Sequence, residues 1–84
     1  MIFEKLEDQT NFTNSEKSIA EYILKNPFSL VGITASQLGQ LTMTSKATVF
    51  RFCKKVGVKS FDELKQQVQY ESHEKERVKN FMKK

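Results

Sequence analysis

An all-α fold, a five-helix bundle with an extended last helix, is what this sequence predicts, and three observations carry the expectation. Glycine and proline are scarce, three and one in 84 residues, so little interrupts a helix. β-Branched residues do not alternate with polar ones, so no strand pattern develops. Apolar residues recur instead at three- and four-residue steps, which gathers them on one side of a helix. At this length the chain makes one small domain with an apolar core that is only just sufficient, and no elaborate active-site cavity is expected.

The first short helix is expected through Ile2, Phe3 and Leu6, whose spacing puts all three on one side. "TNSE", residues 13–16, has the capping-box form, in which a hydroxyl accepts from an orphan N–H and the glutamate reaches back to the cap. A helix starts there with Ile19, Ala20, Ile23 and Leu24 as its stripe. Asn26-Pro27 ends it, because the residue before a proline is pushed out of the helical region. Phe28, Leu30 and Val31 then make a short apolar connector expected to cover the core. "TASQ", residues 34–37, repeats the box and opens a third helix carrying Leu38 and Leu41. That helix stops near Thr42, and Ser45 is the expected N-cap of a fourth, which leaves a three-residue turn between them. Gly39 fits a close approach of the two. Gly57 suits the position just past the fourth helix, where a left-handed backbone costs glycine nothing. "SFDE", residues 60–63, is a third box, and Phe61, Leu64 and Val68 form the seam of the fifth helix. Continuing that seam meets Glu71 and Lys75 before Val78 and Met82, so the last third reads as a solvated extension, a linker or one side of a dimer contact.

Two short helices joined by a tight turn, the second one basic, is the arrangement that places a recognition helix in the major groove of DNA. At ~100° per residue, inward-facing Val49, Phe52 and Val56 leave Lys46, Ala47, Phe50, Arg51 and Lys54 outward. Arg51 carries the planar fork that pairs with guanine and is the first candidate for a base contact. Lys46, Lys54, Lys55 and Lys59 suit phosphates, where a compact charge suffices. Thr44, Ser45 and Thr48 offer hydroxyls at the helix N-terminus, and Ser36 and Gln37 do the same on the preceding helix. Phe50 has two readings of equal weight: contact with a thymine methyl, or packing on a neighbouring helix or a second subunit.

Charge agrees with this placement. Residues 1–42 hold three Lys against five Asp/Glu, residues 43–65 hold six Lys/Arg against two, and residues 66–84 hold five against three. The positive field therefore sits on one structural unit, which suits a polyanionic partner. A protein-interaction domain whose basic face meets an acidic protein, or is only solvated, is the competing reading.

"SEKSIAEYILKNP" (15–27), "ITASQLGQL" (33–41) and "SKATVFRFCKKVGVKSFDELK" (45–65) resemble the N-terminal domain of the RpiR family of bacterial transcription regulators. The resemblance implies a homeodomain-like helical fold, a double-stranded operator as ligand, and a homodimer or higher oligomer. It also implies that residues 1–70 are the DNA-binding domain and 71–84 a helical linker toward a sugar-isomerase-type sensor, absent from these residues, that binds a phosphosugar effector and tunes genes of carbohydrate use. Two positions depart from the motif. Met43 stands where the turn often has glycine, and methionine is strained in a left-handed backbone; Thr44 stands where an apolar residue is usual. Ile2, Phe3 and Leu6, or the tail with Val78, Phe81 and Met82, are candidates for a local dimer contact.

No enzyme is expected. Cys53 reads as a small buried hydrophobe, and with no His or Cys partner at ligand spacing it makes no metal site. His73 lies among polar residues and reads as solvated, while Asp62 and Glu63 are explained by a helix cap. Neither a Gly-rich phosphate loop nor a Ser/His/Asp constellation occurs, so no cofactor is implied. The single cysteine cannot make an internal disulfide, and no secretory or membrane-length apolar run is present, so a cytoplasmic location and no membrane partner are expected. The sequon at Asn11 then serves local turn and cap chemistry.

Overall fold

The computed structural model describes the backbone of residues 1–82 and the side chains of residues 1–73. Among the described residues five helices are present, α1 (Ile2–Glu7), α2 (Asn14–Lys25), α3 (Ala35–Leu41), α4 (Lys46–Lys55) and α5 (Phe61–Met82), with a 3₁₀ turn at Pro27–Leu30. Both expected boxes at the starts of α2 and α3 are closed: Thr13 Oγ1 accepts from Glu16 N and Thr34 Oγ1 from Gln37 N, and in each the acceptor on the third residue receives the cap N–H. Ser60 Oγ accepts from Glu63 N at the start of α5, while Glu63 Oε1 takes a bond from Gln67.

One core gathers Ile2 and Leu6 from α1, Ile19 and Ile23 from α2, Leu38 from α3, Val49 and Phe52 from α4, and Leu64 and Val68 from α5. Phe52 is the largest of the fully buried side chains. Its ring meets Phe12 at 5.4 Å between centroids, which ties the α1–α2 connection to the inner face of α4. Burying a ring or branched aliphatic of this kind stabilises by roughly 1.5–3 kcal/mol, so α4 is held mainly by its inward stripe.

Three expectations about apolar residues need correction. Ile2, Phe3 and Leu6 are core residues of the monomer and present no dimer surface, because α1 folds back between α2 and α5. In the connector only Leu30 is buried; Phe28 and Val31 are exposed, since a single 3₁₀ turn can aim only one of its apolar residues inward. Leu41 is 54% exposed, because it sits at the last position of α3, one residue before the chain turns away.

Two polar groups fasten this arrangement in ways the sequence does not reveal. Glu71, read as an interruption of the α5 seam, is buried, and its carboxylate accepts from Ile2 N at 2.6 Å and Phe3 N at 3.1 Å. It thus caps the N-terminus of α1 from the far end of the chain, satisfying two orphan donors where the helix dipole favours an anion. Lys65 Nζ donates to Ile33 O at 3.0 Å and fixes the approach to α3. Packing continues to His73, whose ring meets Phe28 edge-on at 5.8 Å. The side chains of Lys75, Val78, Phe81 and Met82 lie outside the described residues.

Candidate nucleic-acid interface

The turn between α3 and α4 has the expected length, Thr42 to Thr44. Met43 adopts φ 58, a left-handed conformation. Thr44 N donates to Gly39 O at 2.7 Å and Met43 N to Gln40 O at 3.2 Å, so the end of α3 is a Schellman motif with methionine in glycine's usual place. The same pattern closes α4, where Gly57 has φ +88 and Val58 N donates to Cys53 O at 3.0 Å. Gly39 is needed for contact. A Cβ there would come within 2.9 Å of the Ser45 carbonyl carbon, so any side chain would push α3 off the start of α4.

Ser45 is the N-cap of α4, accepting from Thr48 N. Val49, Phe52 and Val56 are buried, and Lys46, Ala47, Phe50, Arg51 and Lys54 are exposed, as helical phase requires. Ser36, Ser45 and Lys59 are exposed with them and Thr44 and Thr48 are half-buried. Gln37 is exposed as well, but its Oε1 is committed to the Thr34 cap. Lys46 Nζ lies 5.6 Å from the Phe50 ring centroid. Phe50 is 43% exposed and borders an open depression with Ile33, Ser36 and Phe61, so part of its ring is covered and part faces outward. Thr44 Oγ1 is 2.9 Å from Thr42 Oγ1, which explains a hydroxyl at this position: it joins the side-chain bonding that closes the turn.

Lys55 behaves differently from Lys46, Lys54 and Lys59. Its Nζ lies 2.8 Å from Glu16 Oε1 and donates to Asn11 O at 2.8 Å. It is turned toward the start of α2 and away from the row headed by Arg51. Burial works against ionisation of Glu16, but the Lys55 ammonium and the Thr13 N–H and hydroxyl outweigh it and hold the carboxyl below its ordinary value. The sequence showed the capping glutamate but gave no sign of this second partner, which lies 39 residues away.

Cys53 is buried at the edge of the inward stripe. Burial pushes its thiol up to about 11, so it stays protonated and unreactive at neutral pH. Among the described residues no group of three or more His, Cys, Asp or Glu is placed to hold a metal, and no helix is long and apolar enough to cross a membrane.

The profile described as "Helix-turn-helix domain, rpiR family" matches residues 2–75. Similar curated proteins include an uncharacterized HTH-type transcriptional regulator of Caldanaerobacter subterraneus, 42% identical over 59 residues, which are 70% of this chain and 21% of that protein. The uncharacterized HTH-type transcriptional regulator YbbH of Bacillus subtilis is 39% identical over 54 residues, 64% of this chain and 19% of that protein. The HTH-type transcriptional regulator HexR of Pseudomonas aeruginosa is 32% identical over 68 residues, 80% of this chain and 24% of that protein. The chain thus spans about a fifth to a quarter of the curated relatives it matches. No solved structure matches it with significance.

Proposed function

The chain belongs to the rpiR family of helix-turn-helix domains, and from that membership we propose that α4 is a recognition helix that reads a double-stranded operator for a longer transcription regulator. The family is one of DNA-binding regulators and not of enzymes. The observation that carries the reading is the division of α4 into a buried stripe and an exposed cationic row, Lys46, Arg51 and Lys54, with the buried stripe anchored by Val49 and Phe52.

In this reading Arg51 pairs with a guanine edge while Lys46, Lys54 and Lys59 neutralise phosphates that set the register. Ala47 lets the helix lie close to the base edges, and the outward part of the Phe50 ring meets a thymine methyl. Ser36 and Ser45 donate to phosphate oxygens. Residues 1–70 supply the DNA-reading unit, and the chain beyond leads toward a sensor domain. A homodimer binding two half-sites about one helical turn apart, a phosphosugar effector acting through the sensor, carbohydrate genes as targets and a cytoplasmic location rest on the resemblance to regulators of this family.

The test is binding to duplexes selected from a random pool, measured at several salt concentrations. A steep fall of affinity with salt is expected, because phosphate neutralisation releases counterions. Arg51→Ala should weaken binding to a selected duplex about tenfold or more and relax one base position, the ~1–3 kcal/mol that one bidentate base contact is worth. Binding that ignores both sequence and salt would instead point to a protein-interaction domain.

A further inference from the structure

We propose that Thr48 is the positioning residue for Arg51, holding the guanidinium in its reading pose before DNA arrives, and is not a phosphate contact. The inference rests on Arg51 reading a base. Arg51 Nη2 donates to Thr48 Oγ1 at 3.1 Å, roughly one turn back along α4. Thr48 Oγ1 in turn lies 2.9 Å from Ser45 Oγ. Either hydroxyl of that pair can be the donor, and Ser45 Oγ also accepts the Thr48 backbone N–H at 3.1 Å. Guanidinium, threonine and serine are thus linked in one chain along the first turns of α4, with Thr48 Oγ1 held between Arg51 and the N-cap.

This arrangement engages Thr48 Oγ1 twice within the protein. Of about five N–H donors on an arginine, one goes to Thr48 and roughly four remain, enough for a fork on guanine. Threonine is suited to the task because its branched Cβ restricts the side-chain torsion, so its oxygen is a fixed point on the helix. A long cationic side chain loses rotamer freedom when it docks on a base; one already tethered loses less. The tether acts only where the fork is read, since phosphate attraction does not depend on the pose of one guanidinium. Its signature is therefore a loss of sequence preference without a loss of general affinity.

Binding to a selected duplex, to its single-base-pair variants and to an unselected duplex is compared for the unsubstituted chain, Thr48→Val, Thr48→Ala, Thr48→Ser, Arg51→Ala and the Arg51→Ala/Thr48→Val pair, with folding followed by thermal unfolding. Thr48→Val keeps the branched shape and removes the acceptor; Thr48→Ala repeats the deletion should valine disturb the helix. Either should lose about threefold to tenfold on the selected duplex and relax the same base pair as Arg51→Ala. The unselected duplex should be unaffected, Thr48→Ser should bind nearly as well as the unsubstituted chain, and the double variant should match Arg51→Ala alone. Equal loss on every duplex makes Thr48 a phosphate contact and overturns the proposal, as does an effect that adds to that of Arg51→Ala. Unchanged binding of both acceptor-deleting variants, with Arg51→Ala impaired, sinks this inference and leaves the operator-reading function standing. Arg51→Ala with every base preference intact removes that reading and this inference together.

Discussion

Met43 holds a left-handed backbone at φ 58 with its side chain 94% exposed, so the strain of its Cβ is not offset by burial. That conformation costs a non-glycine residue about 1–2 kcal/mol, while glycine returns part of this through its freer unfolded chain. Met43→Gly should therefore raise stability by about 0.5–1 kcal/mol, read as a higher denaturant midpoint with an unchanged slope. An unmoved midpoint would show that the methionine is compensated in the turn. The departure from glycine was visible in the sequence, and so was the outward phase of Arg51. What phase could not give was the partial cover of Phe50, which stands at a depression shared with Ile33 and Phe61 from other elements.

Elements in this protein begin with side chains that serve several donors at once. Glu16 closes the α2 cap and also receives Lys55 from α4, so one buried carboxylate joins two helices. Because its folded pKa is lowered, its contribution to stability is fully present above the ordinary value of 4.5 and is lost as pH falls through the lower folded value. Acid titration of stability should show a decline below about 4.5. Glu16→Gln should flatten part of that decline and cost about 1–2 kcal/mol at neutral pH. A variant with the same acid profile as the unsubstituted chain would place the titration elsewhere. The local half of this was legible, since "TNSE" announces a box; the long-range half was not. Glu71 makes the same point more strongly, because a charge that breaks a seam by periodicity is the cap of α1 by tertiary contact.

At the scale of the whole molecule, cationic residues divide into those left open and those used to hold the bundle. Lys54 makes no ion pair among the described residues, whereas the adjacent Lys55 is engaged by Glu16 and Asn11. Neighbours in sequence should thus separate in function. Lys54→Gln should reduce the salt slope of duplex binding by about one with stability unchanged. Lys55→Gln should lower stability and leave the slope alone. If both shift the slope equally, the ion pair with Glu16 opens on binding and Lys55 returns to the phosphate set.

The sequence by itself determined where α2, α3 and α4 begin and end, where α5 begins, the short turn and the rotation of α4, because capping chemistry and 3.6-residue periodicity are local and each is written within a few neighbouring residues. Only the tertiary structure decided that α1 is core and not an interface, that Lys55 faces α2, and that Glu71 closes a helix 68–69 residues away. Those outcomes depend on which elements meet across long separations, where an unpaired buried charge or N–H must find a partner that no local pattern names.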